Sequence, residues 1–452
     1  MQIIQKPSGN TMKILGKPKA SENGFRWMTY VLSRDVADGV LLFHTLTREL
    51  LLLTPEEYAE PDSKPELREK WFRVPRALDD RKYADQVRFV QTAMRKKPEH
   101  IVGYTIFTTT DCNARCFYCF EAGGTRIQMT EETAHKAATY MAEHCGGKKI
   151  GIGWFGGEPL FNMSVIDIIC NDLVAKGIEY HSSMISNGYL FDDAAVEQAV
   201  NLWNLNHVQI TLDGTEEVYN RSKAYIYKDG KSPYQVVMAN IGRLLNAGIG
   251  VTVRLNIDGY NADNLMLLAD ELFTRFAGNR RFQVYSYPLY EFYGERAKER
   301  TEETRSTLYE KQKSLMEKLR DYGIAERQRL SRSLKLNNCM ADSGGHLTIL
   351  PDGKLGLCGL HAHDDSIGHL DSEDFDTQLV QEYQERCEPI EACKTCVYYP
   401  ECIRLKKCTE LKDCLPEMRE VHRQNLLDGM QNAYIAWQKK IETEEEENLT
   451  VC

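Results

Sequence analysis

A short β-favouring run leads directly into three closely spaced cysteines in residues 101–121, IVGYTIFTTTDCNARCFYCFE. These are Cys112, Cys116 and Cys119, spaced as CxxxCxxC, with the aromatic Tyr118 just before the last one. Three thiolates on one loop can hold three irons of a 4Fe-4S cluster, which leaves the fourth iron open to another ligand. The alternatives are a structural zinc knuckle and a chance cluster of cysteines. The loop therefore predicts either iron-sulfur chemistry or a zinc site.

Length and composition predict a globular protein of two or three domains. The chain has 452 residues, 42% hydrophobic and 27% charged, with 14 cysteines and a formal net charge of -10. No stretch resembles a signal peptide or a membrane span, so we expect a cytoplasmic protein with no membrane partner. In a reducing compartment, cysteines are more often metal ligands than disulfides. The acidic balance argues against a nucleic-acid partner.

From residue 101 onward, short apolar or β-branched runs alternate six times with helical stretches. The predicted strands are 101–108, 149–154, 180–186, 207–212, 250–256 and 281–287, and the predicted helices are 130–145, 162–176, 192–203, 234–247, 261–276 and 301–327. Six strand-helix units in succession imply right-handed crossovers and a parallel sheet. The predicted fold class is α/β, with a partial (β/α)6 barrel over residues 101–330. Sites in such sheets collect at the carboxyl ends of the strands, where the cysteine loop lies.

Glycine-rich and polar segments follow the next three predicted strands. They are GGEP at 156–159, SNG at 186–188 and TLDG at 211–214. Adjacent glycines permit close approach of the backbone. With the cysteine loop one strand-helix unit upstream of GGEP, the region resembles the radical S-adenosylmethionine (SAM) enzymes.

This resemblance implies a role for each matching residue. Cys112, Cys116 and Cys119 would hold the cluster that binds SAM, and they would form the catalytic centre. The remaining SAM-binding candidates implied by the family are Tyr118, Gly156, Gly157, Glu158, Pro159, Asn187, Thr211, Asp213 and Arg254. Of these, Glu158 would contact the amino group, Asn187 the ribose, and Thr211 and Arg254 the carboxylate of SAM.

A second cysteine-rich region lies in residues 331–452, which also contain a predicted C-terminal helix. The spacings Cys-x13-Gly-x4-Cys and Cys-x2-Cys-x5-Cys resemble the SPASM domain, which binds two auxiliary 4Fe-4S clusters. A zinc ribbon is the alternative, since thiolate sites accept either metal. By the resemblance, the outer cluster takes Cys393, Cys396, Cys402 and Cys414, and the inner one takes Cys339, Cys358 and Cys408. Cys387 is the remaining candidate for a fourth inner ligand, and the alternative is that it is a small buried apolar residue.

Residues 1–100 contain no cysteine and predict a small α+β module. β-favouring runs at 25–32 and 39–44 predict a hairpin, with a third run at 49–53. Thr54 and Pro55 then suit the N-cap and first position of a helix. In its layout the module resembles the winged-helix recognition element (RRE) of peptide maturases, which pairs a leader peptide with a sheet edge. The alternative is a packing extension of the next domain.

Together these resemblances imply a maturase of a ribosomally made peptide (RiPP), in the sactisynthase- or ranthipeptide-like branch. Such an enzyme generates a 5'-deoxyadenosyl radical, abstracts hydrogen from the peptide and installs a crosslink. With three inner ligands only, a peptide thiolate could take the open iron position, which predicts a thioether. If Cys387 closes the cluster, a carbon-carbon or carbon-oxygen crosslink is expected. We also expect a flavodoxin or ferredoxin as reductant.

Two other functions remain open at this point. A sulfatase-type Ser or Cys oxidase would use the same radical core but would not need residues 1–100. A non-catalytic iron-sulfur or zinc scaffold would not need the GGEP and SNG segments beside the cysteine loop.

Overall fold

The computed structural model of the chain describes residues 1–6, 14–16, 23–94, 98–119, 121, 124–227, 230–289, 302–372, 374–408 and 414–450. For residues 302–304 and 444–450, only the backbone is described. Within these ranges, no helix has the length and apolar character needed to cross a membrane.

The described part of the chain contains both strands and helices throughout its length. The strands are β1 (Gln2–Gln5), β2 (Phe25–Trp27), β3 (Val31–Val36), β4 (Gly39–His44), β5 (Glu49–Leu53), β6 (Arg73–Pro75), β7 (Gly103–Thr109), β8 (Ile150–Gly156), β9 (Tyr180–Ser186), β10 (Leu205–Leu212), β11 (Gly250–Ile257), β12 (Phe282–Pro288), β13 (His346–Ile349), β14 (Lys354–Gly356) and β15 (Gly368–His369). The α-helices are α1 (Pro55–Ala59), α2 (Pro65–Glu69), α3 (Asp80–Ala93), α4 (Glu131–His144), α5 (Met163–Ala175), α6 (Asp193–Asn201), α7 (Glu216–Lys223), α8 (Pro233–Asn246), α9 (Ala262–Phe276), α10 (Glu302–Asp321), α11 (Thr377–Gln384) and α12 (Pro416–Thr450).

The chain divides into two compact units, which we call the terminal unit and the sheet unit. The terminal unit comprises Met1–Lys96, Arg327–Asn338 and Glu385–Cys452, and the sheet unit comprises Lys97–Glu326 and Cys339–Gln384. This grouping differs from the division by motif into 1–100, 101–330 and 331–452. The difference arises because residues 339–384 add strands to the large sheet, while the C-terminal helix packs on the N-terminal sheet.

The sheet unit is built on six parallel strands in the order β12-β11-β10-β9-β8-β7. A helix follows each strand, which confirms the predicted α/β fold with a parallel sheet. In β9, buried and more exposed residues alternate, so one side of the strand faces the core. β12 is an edge strand, and the open sheet is what a partial barrel requires.

Two features of this unit were not predicted. β13 pairs in parallel with β7 on the side opposite β8, and its Leu347 and Ile349 join the core. Strands β14 and β15 continue this edge in antiparallel pairing. Helix α7 was also missed, because its sequence EEVYNRSK is mostly polar. The predicted helix 301–327 was too long, since α10 ends before Gly323, whose φ of 71° is a left-handed conformation that stops a helix.

The terminal unit contains a four-stranded antiparallel sheet in the order β1-β5-β4-β3. The predicted hairpin is present, but its first strand is β3, while β2 pairs with β6 instead. Helix α1 begins as predicted: Thr54 Oγ1 accepts from Glu57 N, and the Glu57 carboxylate accepts from Thr54 N. Each of the two groups thus satisfies a backbone N–H at the start of the helix.

Helix α12 covers one face of this sheet. Its Leu426, Met430 and Tyr434 are buried in a cluster with Phe43 and Leu50 of the sheet. Both ends of the chain therefore build the terminal unit. The prediction of a winged-helix module stays a prediction.

Candidate active site

The three cysteines of the CxxxCxxC loop lie just beyond the carboxyl end of β7, and each is half-buried. Ala114 N donates to Cys112 Sγ at 3.3 Å, and Cys119 N donates to the carbonyl of Cys116 at 3.2 Å. Burial raises the pKa of the Cys112 thiol to about 12 and raises the pKa of Cys116 and of Cys119. Because a metal deprotonates the thiol it binds, loading of this loop would release protons.

The two glycines of GGEP allow the end of β8 to approach the cysteine loop. A Cβ at Gly156, whose φ is 124°, would overlap the carbonyl of Thr109, and one at Gly157 would overlap the carbonyl of Asp111. Glu158 N also donates to the carbonyl of Asp111 at 3.0 Å. Only glycine permits this approach, so the pair fixes where the cysteine loop begins.

The Glu158 carboxylate is completely buried and is bonded within the protein. Its Oε1 accepts from Ser186 Oγ at 2.9 Å and from Leu160 N at 3.2 Å, while Oε2 accepts from Asn187 N at 2.8 Å. Burial raises the pKa of Glu158 to about 7, against the opposing effect of these hydrogen bonds. The predicted SAM-binding side chain therefore joins the loop after β8 to the loop after β9. Pro159 follows as the first residue of a 3-10 turn.

Asn187 connects the loop after β9 to the cysteine loop. Its Nδ2 donates to Asn113 Oδ1 at 2.6 Å and lies 3.7 Å from Cys112 Sγ. Asn113 is buried, and its Nδ2 has no hydrogen-bond partner among the described residues. An unsatisfied buried amide beside three thiols fits a bound polar group at this place. The three thiols have the donor chemistry of an iron-sulfur site, although they are not arranged as around a single metal ion.

Asp213, predicted as a cofactor contact, is buried in a hydrogen-bonded network that includes Tyr118 of the cysteine loop. Its Oδ2 accepts from Tyr118 OH at 2.7 Å and lies 3.3 Å from Lys223 Nζ, which donates to Tyr118 OH at 2.7 Å. Burial alone would lower the pKa of Lys223, but the negative charge of Asp213 and its other neighbours raise it well above its ordinary value. Burial also raises the pKa of Tyr118. The structure thus bonds two predicted residues directly to each other and adds a lysine, which the motifs did not indicate, to both of them.

Arg254 and Thr211 lie opposite each other on the neighbouring strands β11 and β10. The guanidinium lies over the Tyr287 ring, 4.0 Å from its centroid, and Arg254 Nε donates to Asn256 Oδ1 at 3.0 Å. Asn256 Nδ2 in turn donates to Asp213 Oδ1 at 3.3 Å. Arg254 is therefore linked to the site through Asn256.

Sequence patterns missed Asn113, Asn256 and Lys223. The first lies at a variable position of CxxxCxxC, and the other two lie outside the quoted motifs. A lysine at the end of a polar helix gives no signal by itself, because most such lysines are exposed.

Four of the second-region cysteines lie in the terminal unit, and some of them act on each other's pKa. Burial raises the pKa of Cys396, and the thiols of Cys393 and Cys414 raise it further. Burial likewise raises the pKa of Cys402 to about 11, with smaller contributions that include those of Cys396 and Cys414. These are the four residues assigned to the outer auxiliary cluster.

Cys387 and Cys408 flank a single β-bridge in the same unit. The bridge joins Arg386 to Leu405, Cys387 N donates to the carbonyl of Arg404 at 2.9 Å, and Cys408 N donates to that of Leu405 at 3.2 Å. The segment of Cys387 thus runs beside the segment that leads to Cys408. Cys339 and Cys358 belong to the sheet unit. Among the described residues, no three His, Cys, Asp or Glu side chains are arranged as around one metal ion.

Residues 106–272 match the family model described as Radical SAM superfamily. The chain therefore carries a radical SAM domain, which implies a 4Fe-4S cluster and SAM as cofactors. A curated relative, GTP 3',8-cyclase of Corynebacterium glutamicum (strain R), is 28% identical over 173 residues. The match covers 36% of this chain and 43% of that protein, so the chain spans less than half the length of this relative.

Two solved structures share the fold over a larger part of the chain. One is anSMEcpe with bound AdoMet and Cp18Cys peptide, with a TM-score of 0.56 and 14% identity over 75% of this chain and 99% of that one. The other is Streptococcus suis SuiB bound to precursor peptide SuiA, with a TM-score of 0.50 and 12% identity over 87% of this chain and 98% of that one. At these identities, the likeness concerns the fold.

Proposed function

We propose that this protein is a radical SAM enzyme that modifies a ribosomally made precursor peptide. One observation carries the proposal: the fold likeness to two proteins solved with bound peptides extends over 75% and 87% of this chain. The match to GTP 3',8-cyclase covers only 36% of it. Parts of a chain outside a shared catalytic core commonly decide the substrate. We therefore infer a peptide rather than GTP.

The cysteine loop would supply the first cofactor site. Cys112, Cys116 and Cys119 would each bind one iron of the cluster, and the orphaned Asn113 amide with Asn187 would face SAM. When bound, these cofactors supply a 5'-deoxyadenosyl radical that abstracts hydrogen from the peptide. Glu158 already accepts three hydrogen bonds from the protein. We therefore assign its side chain to holding the loops, and the SAM amino group to the backbone carbonyls of GGEP.

We further propose a SPASM-type arrangement of the remaining cysteines. The electrostatic effect of Cys393 and Cys414 on Cys396, and of Cys396 and Cys414 on Cys402, supports their assignment to an outer auxiliary cluster. The inner cluster would take Cys339, Cys358 and Cys408. With the radical SAM cluster, this makes three 4Fe-4S clusters.

The number of protein ligands to the inner cluster decides between two classes of product. The sequence match supplies only three inner ligands, and an open fourth position is the basis for a thioether crosslink. The bridge that brings the Cys387 segment beside that of Cys408 favours Cys387 as the fourth ligand. A closed cluster can only relay electrons, so this observation favours a carbon-carbon or carbon-oxygen crosslink.

The terminal unit would bind the precursor by adding a peptide strand to its sheet, as an RRE does. β3 is an edge strand, and edge strands carry unpaired backbone groups that can bind an extended peptide. A flavodoxin or ferredoxin would supply the electrons.

SAM cleavage by the reduced, anaerobically reconstituted protein tests this proposal. We expect 5'-deoxyadenosine from the wild type and none from the triple variant Cys112→Ala/Cys116→Ala/Cys119→Ala, which removes all ligands of one cluster. Cys145→Ala is the matched control, since Cys145 is a buried thiol at the end of α4 and away from the loop.

Two outcomes would contradict the proposal. Iron binding without SAM cleavage in the wild type would indicate a scaffold. Conversion of added GTP would indicate a cyclase.

A further inference from the structure

Lys223 is the last residue of α7 and has only 3% of its surface exposed. Its ammonium donates to Tyr118 OH at 2.7 Å, lies 3.3 Å from Asp213 Oδ2 and stands 5.3 Å from the centroid of the Tyr118 ring. Burying a charge is costly unless it is paired and hydrogen-bonded, and lysine is seldom buried fully. The burial of Lys223 beside the cysteine loop is therefore unusual for a lysine.

The same segment also holds the cysteine loop through its backbone. Arg115 N donates to the carbonyl of Lys223 at 2.8 Å, and Ile226 N donates to the carbonyl of Asn113 at 2.9 Å. Lys223 thus contacts the loop at Arg115 through its main chain and at Tyr118 through its side chain. These two residues lie on either side of Cys116.

The backbone beside Lys223 is strained. Ala224 has φ 45° and ψ 60°, a left-handed conformation that favours glycine. Such a conformation costs energy and persists only where surrounding contacts hold it. Here the contacts are those that join this segment to the cysteine loop.

The ammonium of Lys223 bonds to the residue directly before Cys119, and the backbone carbonyl of Lys223 bonds to the residue directly before Cys116. Three thiolates make the loop a negative site, and reduction of a cluster adds one more negative charge. A fixed positive charge in a buried, low-dielectric position favours that added electron.

We propose that Lys223 is a positioning residue that fixes the Cys116–Cys119 turn through Tyr118 and makes the cluster on this loop easier to reduce. The inference rests on the proposed function of the loop. The lysine ammonium is a compact positive charge, whereas arginine would carry the same charge on a larger planar group.

The test compares Lys223→Gln with Lys223→Arg. Glutamine retains a donor for Tyr118 and Asp213 but removes the charge. After anaerobic reconstitution, iron content and the midpoint potential of the loop cluster are measured, the latter by redox titration with electron paramagnetic resonance. We expect both variants to load iron. At a fixed potential, the Gln variant should show a ratio of reduced to oxidised cluster about tenfold lower, which equals about 59 mV for one electron. The Arg variant should stay near the wild type.

The double variant Lys223→Gln/Asp213→Asn removes the carboxylate that the single variant leaves unpaired. We expect its potential to lie between those of Lys223→Gln and the wild type, because the second change removes a negative charge beside the loop. An unchanged potential in both neutral variants would overturn the proposal. Failure of both to hold iron while the Arg variant loads would overturn the effect on reduction, because the charge of Lys223 would then be needed to hold the loop and not to set the potential. If the wild type itself binds no cluster, the proposed function fails instead.

Discussion

Glu158, the acidic residue of the GGEP segment, forms its hydrogen bonds with other groups of the protein. The resemblance assigns it to the amino group of SAM, but its carboxylate accepts hydrogen bonds from Leu160, Ser186 and Asn187. These donors lie on the loops after two neighbouring strands. The residue therefore sets the positions of Asn187 and, through it, of Asn113 beside Cys112.

Its burial leads to a prediction about the pH dependence of stability. Because burial raises the pKa of Glu158 from 4.5 to about 7, the folded protein binds this proton more tightly than the unfolded chain does. Its contribution to stability is present below pH 4.5 and is lost as the pH rises through 7. The stability of the wild type relative to Glu158→Gln should fall by up to about 3 kcal/mol over this range, at about 1.4 kcal/mol per pKa unit.

Denaturant unfolding of the metal-free protein at several pH values measures this difference. Glu197→Gln on α6 is the control, since Glu197 is exposed, and it should show no such trend. A wild-type minus Glu158→Gln difference that does not change with pH would contradict the prediction.

At the scale of the element, the pairing of β3 with β4 determines which backbone N–H groups of β3 point away from the sheet. Val36 pairs with Gly39 across a two-residue turn, and such a closing pair is hydrogen-bonded. Hydrogen-bonded and non-bonded pairs alternate, so Ser33 and Asp35 direct their N–H groups away from β4. Both residues are exposed.

Ser33→Pro should therefore weaken peptide binding without unfolding the sheet. Proline is tolerated at an edge position whose N–H faces outward, but it removes that donor and blocks an added strand. We expect an affinity for the cognate precursor at least about tenfold lower, equal to about 1.4 kcal/mol. Fluorescence anisotropy with labelled precursor measures it. Ser33→Ala keeps the N–H and should bind like the wild type, and SAM cleavage without peptide should be unchanged in both. Equal affinity of the Pro and Ala variants would exclude strand addition at β3.

A point substitution is preferable to deletion of residues 1–100. That deletion would expose Leu426, Met430 and Tyr434 of α12, which are buried against the N-terminal sheet. Each such side chain contributes roughly 1.5–3 kcal/mol by burial. Loss of activity after the deletion would therefore report unfolding of the terminal unit as well as loss of docking.

At the scale of the whole molecule, the cysteines assigned to metal are distributed over both compact units. Three clusters of the proposed type would give about twelve irons per chain, four in each. The bridge beside Cys387 leads us to expect that Cys387→Ala loses the inner cluster, with about eight irons left. Iron analysis after reconstitution measures this. An unchanged iron content with full activity would instead support an open iron and a thioether product. Cys170→Ala, a buried thiol in α5, should keep the full content.

The sequence by itself determined the parallel strands, most of the helices and the position of the cysteine loop after the first of these strands. These features depend on periodicity, turn residues and cysteine spacing, which act over a few neighbouring residues. The tertiary structure alone decided that Lys223 lies under Tyr118, that β13 extends the sheet beside β7, and that α12 completes the N-terminal sheet. Each of these joins residues about 100 to 400 positions apart. Such contacts depend on which apolar faces and charges are left to be covered once the local elements have formed, and no local pattern contains that information.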